Sequence, residues 1–261
     1  MLFTAELIDF KIVYSVLKAV NLSEYAILRP MEEGLKLTLE EIKCTETSVY
    51  FPCNMFSTYE IYSTEDITFK ISLKVFTECL NIFGDEGNPS LKLIYEDIGG
   101  PLCLKMKHLE ENIIVDCDIK TFSTEDFQSI SLAHECNLNK MVVNANIFQE
   151  ILYRLDNSAD EVNLGLSPDP PYFTLIATGR AGESFVTISK HSEEVSVYQC
   201  QKSAQAQYLF SYLRQLLKVM NYASKISISM GETGLLGIQI VISSEEKQMY
   251  VEYYVTSLVT E

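Results

Sequence analysis

The chain has 261 residues, 47% of them hydrophobic and 21% charged, which is typical of a folded protein large enough for two domains. Its formal net charge of -16 repels nucleic acid and anionic membranes at long range, so a DNA contact would require positive charge collected on one surface. The longest apolar stretch, LLGIQIVI (235–242), is too short to span a bilayer, so we expect a soluble protein without a membrane partner.

Four amphipathic segments recur along the chain, with centres about 60 to 70 residues apart. Apolar residues lie at helical spacing in each, which predicts a helix with one buried face. The repetition indicates repeated supersecondary units. The four segments are FKIVYSVLKAV (10–20), SLKVFTECLNIF (72–83), ANIFQEILYRL (145–155) and YLFSYLRQLLKVM (208–220).

Alternating β-rich runs follow each predicted helix, and Gly, Pro, Asn or Asp stand in most of the gaps. Short strands are also predicted before helices, as in LFTAEL (2–7) and ITFKI (67–71). Because gaps of hairpin length cannot form parallel crossovers, the pattern predicts an α+β fold with largely antiparallel sheets. The runs after the helices are AILRP, GLKLTLEEI and SVYFP; LKLIYE, LCLKMKH and NIIVDCDI; EVNLGLS, YFTLIAT and SFVTIS; and KISISM, LGIQIVI and MYVEYYV.

The segment KTFSTEDFQSISLAHECN (120–137) is polar, has no clear period and falls at the midpoint of the chain. We interpret it as a linker between two similar domains, 1–119 and 138–261, although a plain surface loop would have the same composition. Two domains of equal plan would place all four helices on the same side of the sheets. Their outward faces would then form one common surface.

The predicted outward helix faces carry more cations than anions, with a net charge of +2 in a chain of net charge -16. Any solvated helix face carries lysines, so one such face would not indicate a ligand. The fourfold repetition, however, would collect the cations on one surface, which favours a role for them beyond solvation. The acids of the segments and their caps are Asp9, Glu78, Glu150 and Asp156, and the cations are Lys11, Lys18, Lys74, Arg154, Arg214 and Lys218.

No motif of an enzyme is evident, and we predict a protein without catalytic activity, metal or cofactor. The seven cysteines form no C-x-x-C pair, which favours free thiols in a reducing compartment, and the three histidines show no ligand spacing. Asp116 and Asp118 would point to one face of a strand and are the best candidates for a metal pair, but two solvated acids are the simpler interpretation. A metal-dependent 3'-5' exonuclease and an acidic interaction scaffold without a DNA role remain the alternatives.

Three segments resemble the PCNA-type sliding clamps: ITFKISLKVFTECLNIFG (67–84), SPDPPYFTLIATGRAG (167–182) and VEYYV (251–255). The resemblance spans essentially the whole chain and is greatest to a subunit of the heterotrimeric checkpoint clamp; a replication clamp is the alternative within the family. It implies a nuclear ring of three such chains around duplex DNA, acting in the DNA-damage checkpoint and in repair. The six helix cations would contact phosphates without reading sequence, and partners would be a clamp loader and repair and checkpoint proteins.

The resemblance also implies two further kinds of site. Edge strands matched by 112–119 and 184–190 would pair with neighbouring subunits, and a groove beneath the linker would bind partner peptides. Family clamps often have cations where this chain has Glu78, Glu150 and Tyr153, so we expect two other clamp subunits to supply most of the positive field. The interface residues are Asn112, Ile114, Asp116, Ser184, Val186 and Ile188, and the groove residues are Ile130, Leu132, Tyr254 and Val255.

Overall fold

The computed structural model of the protein describes residues 1–20, 23–39, 44–84, 89–108, 110–124, 130–132, 138–244 and 247–258. Within these ranges the chain forms 19 β-strands and five α-helices, so the predicted α+β fold is confirmed. It divides into two compact units. Unit 1 comprises Met1–Glu41, Thr47–Gln128 and Ser243–Tyr250, and unit 2 comprises Ile42–Glu46, Ser129–Ile242 and Val251–Glu261.

Unit 1 is built on the first ten strands and two helices. One sheet has the strand order β5-β1-β7-β8-β9, and the strands of a second follow the order β10-β6-β2-β3-β4. Neighbouring strands in both runs are antiparallel. The helices α1 and α2 pack against each other. In these labels the elements are β1 (Phe3–Leu7), α1 (Lys11–Ala19), β2 (Tyr25–Met31), β3 (Gly34–Leu39), β4 (Thr45–Pro52), β5 (Thr58–Ile61), β6 (Phe69–Ser72), α2 (Leu73–Leu80), β7 (Ser90–Tyr95), β8 (Leu102–His108), β9 (Ile113–Ile119) and β10 (Thr121–Phe122).

Unit 2 repeats this plan with nine strands and three helices. Its sheets have the strand orders β14-β13-β12-β16 and β19-β18-β17-β11-β15, and α3 packs against both α4 and α5. The elements are β11 (Asn139–Asn144), α3 (Ala145–Arg154), β12 (Glu161–Leu166), β13 (Phe173–Gly179), β14 (Gly182–Ile188), β15 (Val195–Gln199), β16 (Ala204–Leu209), α4 (Phe210–Gln215), α5 (Leu217–Met220), β17 (Ala223–Met230), β18 (Leu236–Ser244) and β19 (Lys247–Val255).

Helices α2 and α3 begin at side-chain caps directly after a strand. The Ser72 hydroxyl accepts from the Val75 N–H at 3.3 Å, and the Asn144 amide oxygen accepts from the Asn146 N–H at 3.0 Å. Each cap satisfies one of the N–H groups that a helix start leaves without a partner. The apolar stripes then face inward, as predicted, with Phe76 and Phe148 almost fully buried.

The fourth predicted helix differs from the expectation of one helix over 208–220. Tyr208 and Leu209 belong to β16, where they pair with Val162 and Glu161 of β12, and the helix is interrupted at Leu216 between α4 and α5. Sheet pairing therefore overrides the helical pattern at the start of this segment. The turn at Leu216, whose N–H bonds the Leu213 carbonyl at 3.2 Å, changes the direction of the side chains that follow.

The predicted linker begins as a strand. Thr121 and Phe122 form β10 and pair with Ile71 and Lys70 of β6. Residues 125–129 and 133–137 of the linker lie outside the described residues, so the boundaries 1–119, 120–137 and 138–261 stay predictions. The six cysteines of the described ranges are free thiols, and no helix in those ranges is long and apolar enough to cross a membrane.

Gly34 opens β3 with a φ of 153°, a backbone conformation that L side chains rarely adopt. A Cβ there would lie 2.8 Å from Pro52 Cα and still closer to the Phe51 carbonyl oxygen, because β3 pairs tightly with β4. We predict that Gly34→Ala lowers the free energy of unfolding by about 2 kcal/mol or more. Gly84, which has a φ of 62° and open space around it, provides the control.

Gly84→Ala carries only the backbone strain and should cost about 1 kcal/mol. Urea denaturation of the two variants beside the wild type measures both values. Equal losses for Gly34→Ala and Gly84→Ala would contradict a close approach of β3 and β4 at Gly34.

Candidate functional site

The helix cations of unit 1 are mostly solvent-exposed, as the sequence predicts. Lys18 is exposed in the last turn of α1, and its ammonium lies 5.5 Å from the centroid of the Tyr14 ring. Lys74 is exposed on α2, and its Nζ lies 4.0 Å from the Glu78 carboxylate. Lys11 is half-buried at the start of α1.

In unit 2 the structure brings Arg154 and Lys218 to one groove between α3 and α5. The guanidinium of Arg154 forms an ion pair of 3.0 Å with Glu150, one helical turn earlier. Lys218 is exposed and has no ion pair among the described residues. Exposed pairs of this kind contribute little to stability, so the Arg154 cation remains available to another anion.

Arg214 lies elsewhere and makes structural contacts. Its guanidinium carbon lies 4.0 Å from the centroid of the Phe210 ring, and its Nη2 donates to the Asp156 carbonyl oxygen at 3.3 Å. Its Nε is buried without a hydrogen-bond partner in the described part of the chain. The helical pattern of the sequence assigns both Arg214 and Lys218 to the outward face of the fourth helix. Arg214 is instead half-buried against Phe210, whereas Lys218 is exposed, and the helix is interrupted at Leu216 between them.

Asp156 connects the end of α3 to the turn between β13 and β14. Its carboxylate accepts from the backbone N–H of Ser158 at 2.8 Å and of Ala181 at 3.0 Å, and from the Ser158 hydroxyl at 2.8 Å. These hydrogen bonds lower the pKa of Asp156, since they stabilise the charged form. A Cβ at Gly179 would collide with this carboxylate, so the turn depends on a glycine there.

Two predicted edge strands lie at sheet edges. Among the described strands, β9 ends the five-stranded sheet and β14 ends the four-stranded sheet. Both have the same succession of exposed, half-buried and buried residues from their first to their last position. Their outer backbone groups are free to pair with another chain.

The predicted interface residues divide into two groups. Ile114, Asp116, Ser184 and Val186 lie within the edge strands and are exposed or half-buried. Asn112 precedes β9 in a left-handed conformation with a φ of 55°, and Ile188 points into the core with only 7% of its surface exposed.

The prominent apolar residues of these edges are Ile114, 64% exposed, and Phe185, 60% exposed. Sequence reasoning missed Phe185. Period-two alternation places Ser184 and Val186 on one face of the strand and Phe185 on the other, but it does not show that the face of Phe185 is exposed to solvent. An exposed phenylalanine on an edge strand is typical of a surface that becomes buried in an assembly.

Two of the four predicted groove residues line one cavity of about 150 Å³ in unit 2. Leu132 and Tyr254 both lie over the backbone of Gly237, where a Cβ would come within 2.6 Å of Leu132 Cδ1 and 3.0 Å of Tyr254 Cε1. Burial raises the pKa of Tyr254 to about 12, and the nearby carboxylates of Glu252 and Glu46 add to the shift.

The other two predicted groove residues are placed differently. Val255 is fully buried on the opposite face of β19 from Tyr254. Ile130 is half-buried, and its N–H donates to the Glu46 carboxylate at 2.5 Å. Sequence reasoning missed Glu46 and Gly237, because a lone acid and a lone glycine within β-rich runs carry no spacing signal.

The candidate metal pair, Asp116 and Asp118, has no third ligand among the described residues. Asp116 lies opposite Lys105 and Asp118 opposite Cys103 in the pairing of β8 with β9. The hydrogen bond from the Cys103 thiol to Asp118 raises the pKa of Cys103 to about 11. Within the described ranges no group of three His, Cys, Asp or Glu side chains is positioned to hold a metal ion.

Each unit has helices that pack against one another and against antiparallel sheets, and one sheet of each unit ends in an open edge strand. This plan, repeated in two units, is that of the PCNA-like sliding clamps. The model of the family described as "Repair protein Rad1/Rec1/Rad17" matches residues 2–242, so the chain belongs to this family. The resemblance to checkpoint clamps is thereby confirmed.

Curated relatives agree with this assignment. The cell cycle checkpoint protein RAD1 of mouse is 31% identical over 245 residues, which are 92% of this chain and 86% of the mouse protein. The DNA repair protein Rad1 of Drosophila melanogaster is 24% identical and covers 98% of this chain and 94% of its own length. The DNA damage checkpoint control protein rad1 of Schizosaccharomyces pombe is 21% identical over 94% of this chain and 83% of its own length.

Arg214 and Lys218 should respond differently to removal of their side chains. We predict that Arg214→Ala lowers Tm by about 4 °C or more, because it removes the contact with Phe210 and the bond to the Asp156 carbonyl. Lys218→Ala should leave Tm within about 1 °C, as expected for an exposed side chain without partners. Differential scanning calorimetry of the two variants measures both Tm values. A large fall in Tm for Lys218→Ala with none for Arg214→Ala would contradict the structural role of Arg214 and the exposed position of Lys218.

Proposed function

We propose that this member of the checkpoint and repair clamp family forms one third of a heterotrimeric ring, which encircles duplex DNA in the nucleus without reading its sequence. The observation that carries the proposal is the pair of open edge strands, β9 and β14, one in each unit and with matching exposure patterns. The ring would serve as a non-catalytic platform for repair and checkpoint proteins and would be opened by a clamp loader.

The open edges support assembly into a ring. Unpaired N–H and C=O groups beside the exposed side chains of Ile114 and Phe185 would favour uncontrolled association unless specific neighbours cover them. Two different edge surfaces on one chain can make head-to-tail contacts with copies or relatives of the chain, and such contacts close into a ring when the rotation between subunits permits.

The charges support a ring that holds DNA weakly. Lys74 and Arg154 are paired with acids and Arg214 is held by Phe210 and Asp156, which leaves Lys18 and Lys218 as the exposed helix cations without an ion pair in the described residues. A closed ring is retained by topology and needs only weak phosphate contacts, which permit sliding. The small number of free cations favours neighbouring subunits that supply most of the positive field.

The edge strands can be tested by oligomeric state. Ile114→Glu and Phe185→Glu each place a charge on one open edge. In co-expression with one candidate clamp subunit at a time, each variant should fail to pair with one neighbour and still form a two-subunit complex with the other. Ile98 is 81% exposed in the β7–β8 turn, and Ile98→Glu provides the same change away from both edges. Light scattering after co-expression with candidate clamp subunits measures the mass.

Pairing of either edge variant with both neighbouring subunits would contradict the proposed interface on that edge. A stable three-fold ring formed by the wild-type chain alone would contradict the heterotrimer.

The DNA-facing role of the helices can be tested through salt dependence. In the assembled ring, Lys18→Ala and Lys218→Ala should each reduce the slope of log K against log salt for a short linear duplex by about 0.9, since each removes one phosphate contact. Lys202, which is exposed in the β15–β16 loop beside Glu232, supplies the control Lys202→Ala. Equal slopes in all three variants and the wild type would exclude phosphate contacts by these helices.

A further inference from the structure

A groove of about 620 Å³ lies between α3 and α5 in unit 2. The Gln149 side chain joins the two helices, because its Nε2 donates to the Leu217 carbonyl oxygen at 3.0 Å and to the Asn221 amide oxygen at 2.8 Å. The volume lies within the range of pockets that bind small ligands.

Tyr153 lines this groove and has 75% of its surface exposed. Its side chain makes no hydrogen bond or ring contact within the described part of the chain. A surface that only tracks phosphates needs cations and gains nothing from an exposed aromatic ring. The exposed ring of Tyr153 in this groove therefore favours a ligand with an aromatic or apolar face.

The charges around Tyr153 indicate that this ligand is anionic. Arg154 and Lys218 both line the groove, and Lys218 has no ion pair among the residues described. Glu150 is the one acid of the groove and is already paired with Arg154. An aromatic platform beside two cations is the arrangement that binds single-stranded nucleic acid, in which the base stacks and the backbone contacts the cations.

We propose that this groove binds an unpaired nucleotide of single-stranded DNA, with its base stacked on Tyr153 and its phosphate near Lys218 and Arg154. The proposal rests on the proposed function, since it assumes that the helix face of unit 2 contacts DNA, and it adds a preference for unpaired DNA at that face. In duplex DNA the faces of the bases are covered by their neighbours, so a continuous duplex would not occupy the site.

The sequence contains no tryptophan, so one introduced tryptophan reports on its own site. We expect the fluorescence of a Tyr153→Trp variant of the full chain to be quenched by an oligodeoxythymidylate of about 16 nucleotides, through stacking of a base on the indole. A duplex of the same length should quench it much less. Tyr62 is 51% exposed in unit 1, and Tyr62→Trp is the matched control, for which we expect no quenching by either DNA.

The affinities of variants for single-stranded and duplex DNA distinguish the contribution of base stacking on Tyr153 from that of the Lys218 charge. By fluorescence anisotropy, Tyr153→Ala should weaken binding of the single strand about tenfold and leave duplex binding unchanged, whereas Tyr153→Phe, which keeps the ring, should bind as the wild type does. Lys218→Ala should weaken binding of both DNAs.

The outcomes distinguish this inference from the function on which it rests. Duplex binding that depends on Lys218, together with equal quenching by both DNAs or none, would overturn the nucleotide site and leave the clamp surface standing. Absence of any binding that depends on Lys218 would overturn the nucleotide site and the phosphate contact of Lys218, and would leave the ring to the test of the edge strands. Quenching of Tyr62→Trp to the same extent as Tyr153→Trp would also overturn the site, because the effect would then be nonspecific.

Discussion

The constraint on which the other features depend is the direct passage from strand to helix. β6 ends at Ser72 and α2 begins at Leu73, β11 ends at Asn144 and α3 begins at Ala145, and β16 ends at Leu209 and α4 begins at Phe210. Without a connecting loop, the last strand residue also caps the helix, as Ser72 and Asn144 do through their side chains. The sheet therefore sets the direction of each helix and the face that it exposes.

This constraint explains how an acidic protein presents cations on its helices. The buried face of each helix is committed to the core, so the charged residues of the pattern must point outward. Most of the exposed cations contact a neighbouring side chain. Lys74 and Arg154 form ion pairs with Glu78 and Glu150, and the Lys18 ammonium lies over the Tyr14 ring. Such weak and reversible partners fit the DNA-facing surface proposed above, on which each cation would exchange one phosphate for the next.

Much of the fold could be predicted, because amphipathic period and strand alternation report burial directly. The segments predicted over 10–20, 72–83 and 145–155 form α1, α2 and α3 with ends that differ by at most three residues. The strands β5, β10 and β15 were missed. Each is short and lies at a sheet edge, where it is defined by its partner more than by its own residues. The edge positions of β9 and β14 came from family resemblance, since alternation alone does not distinguish an edge strand from an internal one.

Local sequence by itself determined the class of the fold, the faces of the helices and the exposure of Lys18, Lys74, Arg154 and Lys218, because these depend on periods of a few residues. Only the tertiary structure decided that Arg214 turns to Phe210 and Asp156, that Val255 faces away from the groove, and that Arg154 and Lys218 share a cavity with Tyr153. Those outcomes depend on contacts between residues far apart in the chain, and no period of a single element encodes them.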